Sequence, residues 1–241
     1  MIKFVAKGSE AEIYIYEPIG EPGYFEDGIT AKAFGQDLAA LGKVNKITCR
    51  INSPGGSVFD GLAIYNLLAS HPAKVTMCID GLAASIASVI AMAGDTIEIA
   101  DNATMMIHDA WGMVMGNAAE MRKQADVLQA QSENIAALYV KRSSTDFATI
   151  RDLMEKETWL LSEDCVKYGL ADKVTDNMKP MACVFNNKKF KYRNVPKAIV
   201  EVVALDVERD KRLRDRVEAA KADLTKINLA AQRATKSPVA Q

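Results

Sequence analysis

Apolar and polar residues alternate in several short stretches of the chain, which is the pattern of strands that bury one or both faces. The stretches that predict strands are residues 11–16, 46–52, 75–80, 96–100 and 103–108. Between and after them the apolar residues recur at helical spacing, which predicts helices over residues 30–41, 59–69, 82–93, 118–142 and 145–155. Thr30 is the expected N-cap of the first helix and Gly42 its stop.

This succession of strands and helices predicts an α/β fold. Strands that alternate with helices are joined by right-handed crossovers, so we expect a largely parallel sheet covered by helices. The stretch 82–93 is rich in Ala and Ser and carries no charge, which predicts a helix buried on every side. A short helical turn over residues 163–168 is expected to end at Gly169.

The chain divides by pattern into a main domain, 1–178, and a C-terminal extension, 179–241. Its 241 residues suit one domain with an appendage. In the extension we expect a hairpin over about 181–192, an amphipathic helix over about 205–232 and a frayed end. The helix carries an apolar stripe at alternating steps of four and three, which is suited to packing on a partner or on the main domain.

Composition excludes several classes of protein. The 30 Lys and Arg against 31 Asp and Glu argue against a nucleic-acid binder, and this near balance permits self-association. No apolar run reaches the length of a membrane span, and the N-terminus lacks a secretory signal. The four scattered cysteines predict no metal site and suit a reducing cytoplasm. No phosphate-loop motif is present, and we expect no cofactor.

Candidate chemistry centres on Ser85, which follows a predicted strand and lies at the mouth of an apolar helix. Backbone N–H groups at such a point can stabilise an oxyanion, but a small residue can also stand there for packing, as we expect of Ser88. The chain has only two histidines. His71 fits a helix-ending loop, whereas His108 ends a strand, where ligands bind in parallel sheets. A Ser–His pair is the minimum for an activated nucleophile.

Four motifs then carry a family resemblance. They are Ile51-Asn52-Ser53-Pro54-Gly55-Gly56-Ser57, Gly81-Leu82-Ala83-Ala84-Ser85, Met106-Ile107-His108, and Leu161-Ser162-Glu163 continuing to Tyr168-Gly169-Leu170-Ala171-Asp172. In order and spacing, over roughly residues 10–176, they resemble the ClpP serine peptidases. Within this family, the chain is more similar to the ClpP-like proteases of phages and prophages. The similarity lies in the sequences Gly61-Leu62-Ala63-Ile64-Tyr65-Asn66 and Glu157-Thr158-Trp159. These phage proteins are usually interpreted as head maturation proteases.

The resemblance implies roles by position. Ser85 would be the nucleophile and His108 the general base, and the N–H groups of Gly56 and Ile86 would form the oxyanion hole. A strand after Gly56, at Ser57 and Val58, would hold the substrate by backbone pairing. The implied fold is the ClpP/crotonase ββα spiral. The implied assembly is a homo-oligomer of stacked rings, commonly heptameric, with the active sites inside.

The orienting acid departs from the family pattern. Alignment backwards from Tyr168-Gly169 puts Glu157 where the family has Asp, with Asp152 or Asp146 as the fallback. Next to it, an Asp/Glu–Arg pair of the cellular enzymes is replaced by Glu155-Lys156, and Lys cannot reproduce a bidentate Arg contact.

Four functions are compatible with these features. The first is an ATP-independent serine endopeptidase that cleaves capsid or scaffold polypeptides in the host cytoplasm. The second is a degradative subunit fed by an AAA+ unfoldase; the short N-terminus gives no obvious axial loop, which favours the first. A crotonase-type acyl-CoA enzyme would share the fold but has no use for Ser85 and His108. A catalytically inactive ring scaffold is the last alternative.

Overall fold

Strands and helices alternate along the chain as the sequence predicts, and the computed structural model describes residues 3–21, 28–176 and 192–196. The elements in chain order are β1 (Lys3–Lys7), β2 (Glu10–Ile15), α1 (Ala31–Ala40), β3 (Lys46–Ser53), α2 (Val58–Ala69), β4 (Lys74–Ala84), α3 (Ile86–Ala91), β5 (Thr96–Ala100), β6 (Thr104–Ile107), α4 (Ala118–Arg142), α5 (Phe147–Glu155), β7 (Thr158–Leu161), α6 (Ser162–Lys167) and β8 (Lys173–Thr175). All the described residues fall in one compact unit that ends at Pro196. The domain boundary at residue 178 stays a prediction.

In the described part of the chain the strands form one mixed sheet of eight strands, mostly parallel as expected. The order is β1-β2-β3-β4-β5-β8, in which the pairs from β2 onward are parallel and β1 joins antiparallel. β6 pairs in parallel with the far end of β4, and β7 runs antiparallel to β6. This α/β architecture is the ClpP-like fold that the motifs imply.

Strand β4 pairs with two different strands along its length, and this pairing shows that part of the predicted helix 82–93 is wrong. Residues Thr76 to Ile79 pair with β5, whereas Leu82 to Ala84 pair with Thr104 to Met106 of β6. The strand therefore runs through Ala84, and the helix begins only at Ile86. An uncharged, Ala-rich sequence favours a helix locally, but backbone pairing with β6 decides the structure of these residues.

The predicted helix boundaries are confirmed where capping residues set them. Thr30 caps α1 by accepting a hydrogen bond from the Ala33 N–H at 3.1 Å. α4 has the predicted bounds and begins at a capping box between Asn117 and Glu120. α5 begins later than predicted, because Asp146 rather than an earlier residue accepts the Thr149 N–H.

The core lies between the sheet and the helices packed on it. It contains alternate residues of the inner strands together with the apolar faces of the helices; fully buried members include Ile13, Ile47, Ile51, Ile79, Ile97, Ile99, Phe34, Ile64, Val89 and Tyr139. None of the described helices is long and apolar enough to cross a membrane. The C-terminal helix and the hairpin, apart from the last hairpin residue Tyr192, lie outside the described residues.

Candidate active site

Ser85 lies at the sharp junction between β4 and α3. Its backbone has φ 56° and ψ −129°, a conformation that costs a non-glycine residue about 1–3 kcal/mol. Two hydrogen bonds hold the junction: the Ser85 N–H donates to the Met106 carbonyl at 2.9 Å, and the Ser88 hydroxyl donates to the Ser85 carbonyl at 2.5 Å. The strained turn presents the Ser85 side chain at the end of the strand, where a nucleophile is accessible to a ligand.

Ser88 does more than pack, which the sequence analysis missed. Besides the Ser85 carbonyl, its hydroxyl lies 3.1 Å from the Met106 carbonyl and 2.8 Å from the hydroxyl of Tyr139, which is fully buried on α4. The Ser88 oxygen therefore ties the junction to β6 and α4 at once. Its position one helical turn after Ser85 is the only signal of this that the sequence carries.

The β4–β6 pairing also brings His108 to Ser85. Ala84 lies opposite Met106, and His108 follows two residues later at the end of β6. The distance between His108 Nε2 and Ser85 Oγ is 2.8 Å, a hydrogen bond. The next residue, Asp109, accepts a bidentate contact from Arg151 of α5, which anchors the chain just after the histidine.

The glycine turn after β3 lies against the nucleophile junction. Gly55 has φ 87°, and a Cβ there would lie 2.5 Å from the Ala84 carbonyl oxygen, 2.8 Å from Ser85 Cβ and 3.2 Å from the Ile86 nitrogen. Gly56 has φ 148°, and a Cβ there would lie 2.0 Å from the Ile19 carbonyl oxygen. Only glycine allows this approach at either position, so the turn sits beside the start of α3 as the oxyanion-hole hypothesis requires.

The predicted strand at Ser57 and Val58 is wrong. Ser57 caps α2 by accepting a hydrogen bond from the Asp60 N–H, and Val58 is the first residue of that helix. The Ser57 N–H donates a hydrogen bond to the Ile19 carbonyl at 2.8 Å, and the Ser57 carbonyl accepts one from the Gly61 N–H. Backbone already committed to a helix start and to Ile19 cannot add a substrate strand.

Glu157, the expected acid, is brought beside His108 by β7. Ile107 pairs with Thr158 in the antiparallel register, so the two residues that flank this pair, His108 and Glu157, come to the same end of the sheet. Glu157 is 4% exposed and has φ 50°. The fallback Asp152 is instead exposed and paired with Lys156 at 2.6 Å. The other fallback, Asp146, caps α5.

The Glu157 carboxylate is nevertheless bound by another part of the chain. Its Oε1 accepts the N–H groups of Arg193 and Asn194 at 2.6 Å each, and its Oε2 lies 3.7 Å from the Arg193 Nε. Among the described residues no hydrogen bond joins Glu157 to His108. The expected nucleophile and base, Ser85 and His108, are thus hydrogen-bonded to each other, while the expected acid, Glu157, has other partners.

Tyr192 is the residue at this site that sequence reasoning did not find. It is 5% exposed, and its hydroxyl donates to the Pro54 carbonyl at 2.5 Å. Its ring meets the His108 ring edge-on at 5.3 Å between centroids and the Trp159 ring at 5.9 Å. Tyr192 lies more than eighty residues from His108 in a polar part of the sequence, so no local pattern indicated it.

Burial controls the charge of the base. Desolvation lowers the pKa of His108 from 6.5 to about 4, opposed by the negative charges of Glu157 and Asp109 and assisted by Arg193. His108 is therefore neutral near pH 7 and can accept a proton from Ser85. The phenol of Tyr192 is buried as well, which raises its pKa and keeps it neutral.

A serine at a strained strand–helix junction, hydrogen-bonded to a histidine and followed by a nearby carboxylate, defines the class of sites built for nucleophilic catalysis. The particular family is shown by comparison: the chain belongs to the Clp protease family, whose sequence profile matches residues 11–178.

A curated relative supports this membership. The chain is 29% identical over 133 residues to the "ATP-dependent Clp protease proteolytic subunit 1" of Protochlamydia amoebophila (strain UWE25). That alignment covers 54% of this chain and 65% of the relative, so the chain spans just under two thirds of the relative's length.

Proposed function

We propose that the protein is a serine endopeptidase of the ClpP type, with Ser85 as nucleophile, His108 as general base and Glu157 as orienting acid. The observation that carries the proposal is the 2.8 Å hydrogen bond between Ser85 Oγ and His108 Nε2 at the strained β4–α3 junction. Strain of this kind persists where the surrounding structure enforces it, commonly at active sites. Membership of the Clp protease family supports the same reaction.

The geometry gives each group a step. Ser85 Oγ attacks the carbonyl carbon of a peptide bond while His108 Nε2 takes its proton; the imidazolium then protonates the leaving amine. Water, deprotonated by the same imidazole, then attacks the acyl carbon; the bond to Ser85 Oγ breaks, and the imidazolium returns the proton to Oγ. Glu157 lies close enough to stabilise the imidazolium electrostatically and, with its carboxylate free, would accept a hydrogen bond from the Nδ1–H group.

The oxyanion hole is assigned to the N–H groups of Gly56 and Ile86. Ile86 is the first residue of α3, so its N–H has no acceptor within the helix. The glycine turn approaches this nitrogen closely, as the 3.2 Å distance to a Cβ on Gly55 indicates. Preorganised N–H donors at this point would stabilise the negative oxygen of the tetrahedral intermediate.

The assembly is proposed to be a homo-oligomeric ring, heptameric and stacked as in the family. An exposed apolar loop follows His108 and suits contact with other copies; its exposed members are Trp111, Met113, Val114 and Met115. The described cysteines Cys49, Cys78 and Cys165 are unpaired, which suits a cytoplasmic location.

For the biological role we propose ATP-independent cleavage of capsid or scaffold polypeptides during phage or prophage head maturation. This proposal rests on the similarity of the motif sequences to those of phage and prophage ClpP-like proteases. A second candidate, a degradative subunit fed by an AAA+ unfoldase, is favoured by the name of the relative, which is an ATP-dependent Clp subunit. Cleavage of casein and of a scaffold protein, with and without an unfoldase and ATP, separates the two.

The test of the chemistry is active-site labelling with a fluorophosphonate, followed by peptide mapping. We expect an adduct on Ser85 that the Ser85→Ala protein does not form, with loss of peptide hydrolysis by about 10³-fold or more. Circular dichroism of Ser85→Ala checks that the fold is retained. Two results would contradict the proposal. The first is labelling that persists in Ser85→Ala. The second is no labelling of Ser85 in either the wild type or the Tyr192→Ala protein, which lacks the ring that packs against His108.

A further inference from the structure

Tyr192 occupies the space that a substrate needs. Its phenol donates a hydrogen bond to the Pro54 carbonyl, in the glycine turn that lies beside Ser85, while its ring packs edge-on against His108. A nucleophile must approach the scissile carbonyl carbon to about 3–3.5 Å. A buried aromatic ring that packs against His108 and is hydrogen-bonded to the turn beside Ser85 competes with a peptide bond for that position.

The residues after Tyr192 bind the carboxylate of Glu157. Both oxygens of the Glu157 carboxylate face Arg193 and Asn194: Oε1 accepts two main-chain N–H groups and Oε2 faces a guanidinium. The Asn194 side-chain amide adds a bond to the Lys156 carbonyl at 2.8 Å. Hydrogen bonds to a carboxylate are stronger than those between neutral groups, so this is a firm attachment.

From these two observations we propose that the active-site cleft is a binding site for the chain's own residues 192–194, and that this bound Tyr-Arg-Asn segment inhibits the enzyme. The inference rests on the proposed function, because it takes Ser85 and His108 as the reacting groups. Its ligand is a peptide with an aromatic hydroxyl side chain followed by two free main-chain N–H groups. Substrate enters when the segment leaves.

The contacts favour inhibition over a role in building the active site. A segment that completed the triad would leave Glu157 hydrogen-bonded to His108, whereas here the N–H groups of residues 193 and 194 take the carboxylate. A segment that supported substrate would also leave the imidazole of His108 open, whereas the Tyr192 ring packs against it. Departure of the segment frees the cleft and the acid together, so one movement switches both.

The experiment measures the rate of fluorophosphonate labelling at Ser85 in the full chain. We expect labelling on the order of tenfold faster in Tyr192→Ala, because a larger fraction of molecules has an open site. Tyr192→Phe keeps the ring but loses the bond to Pro54 and gives a smaller rise. Asn194→Pro removes one N–H from Glu157 and also labels faster.

Val195→Pro is the matched control, because it makes the same backbone change at a position whose N–H donates no hydrogen bond among the described residues. It is expected to label at the wild-type rate. A synthetic peptide of residues 190–196, carrying a fluorophore, is expected to bind Tyr192→Ala by anisotropy and to slow its labelling again. The same peptide with Ala in place of Tyr192 should do neither.

Different labelling results would contradict the inhibitory segment and the peptidase function. Equal labelling of wild type, Tyr192→Ala and Asn194→Pro would overturn the inhibitory segment and leave the serine peptidase intact. Slower labelling in those variants would overturn it too, because the segment would then support the site. Peptide binding without labelling of Ser85 in any variant would instead refute the proposed function.

Discussion

The two sides of the active site are held by different kinds of contact. The proposed nucleophile and base, Ser85 and His108, are placed by parallel pairing of β4 with β6 and joined at 2.8 Å. The proposed acid, Glu157, is brought close by antiparallel pairing of β7 with β6, but its carboxylate is bound by Arg193 and Asn194. The Ser85–His108 hydrogen bond is thus formed within the sheet, whereas the partners of the Glu157 carboxylate come from a separate short segment. If the proposed release of that segment occurs, it changes the contacts of Glu157 and leaves the Ser85–His108 pair in place.

The largest effect is expected from removing the charge of the acid. In a Tyr192→Ala background, where the proposal expects the segment to release Glu157, Glu157→Gln should lower kcat by about 10²- to 10⁴-fold, because a neutral amide no longer stabilises the imidazolium. The matched control is Asp152→Asn, an exposed carboxylate paired with Lys156, which should stay near the parent rate. Steady-state hydrolysis of a fluorogenic peptide measures both. The reverse ranking would transfer the acid's role to Asp152.

A smaller but separate effect is expected at the nucleophile side. Gly55→Ala puts a Cβ 2.5 Å from the Ala84 carbonyl oxygen at φ 87°, so it should destabilise the fold by about 2–4 kcal/mol and slow labelling of Ser85. Gly42→Ala shares a positive φ of 68° but meets nothing within 4 Å. It should cost about 1 kcal/mol and leave labelling unchanged. Urea unfolding measures the free energy of unfolding of both variants. An equal decrease in the two would mean that the close contact at Gly55 does not resist an added Cβ.

The smallest effect is a shift in proton affinity. Burial lowers the pKa of His108 to about 4, so its ring should titrate near pH 4 in the wild type by NMR and higher in Tyr192→Ala, where water reaches it. The His71→Gln protein assigns the two histidine signals. An unchanged midpoint in Tyr192→Ala would mean that the ring of Tyr192 does not desolvate His108.

The same pKa has a consequence for stability. Because folding lowers the pKa below its ordinary value of 6.5, the unfolded chain binds the proton first as the pH falls. The His108 contribution is absent above about pH 6.5 and destabilises the fold progressively down to about pH 4. The His108→Gln protein should lose this part of the acid sensitivity in urea unfolding. Identical pH dependence in the two proteins would contradict it.

Much of the fold was predictable because its signals are local. The bounds of α4 and the cap of α1 follow from periodicity and capping residues, which act within one or two helical turns. Part of the helix predicted over 82–93 is wrong because Leu82 to Ala84 pair with β6, 22 residues further along the chain. Strand β7 was not predicted at all, since its four residues show no alternation and only pairing with β6 defines them.

The sequence alone determined the α/β class, the candidate pair Ser85 and His108, and, through its motifs, the Clp protease family. It could do so because strand ends, glycine turns and a scarcity of histidine are properties of single positions and short spacings. Only the tertiary structure decided that Glu157 lies beside His108 while bonded elsewhere, that Ser57 and Val58 start a helix, and that Tyr192 packs against His108. These are contacts between residues distant in the chain, and side-chain partners of that kind are set by packing, which no local pattern encodes.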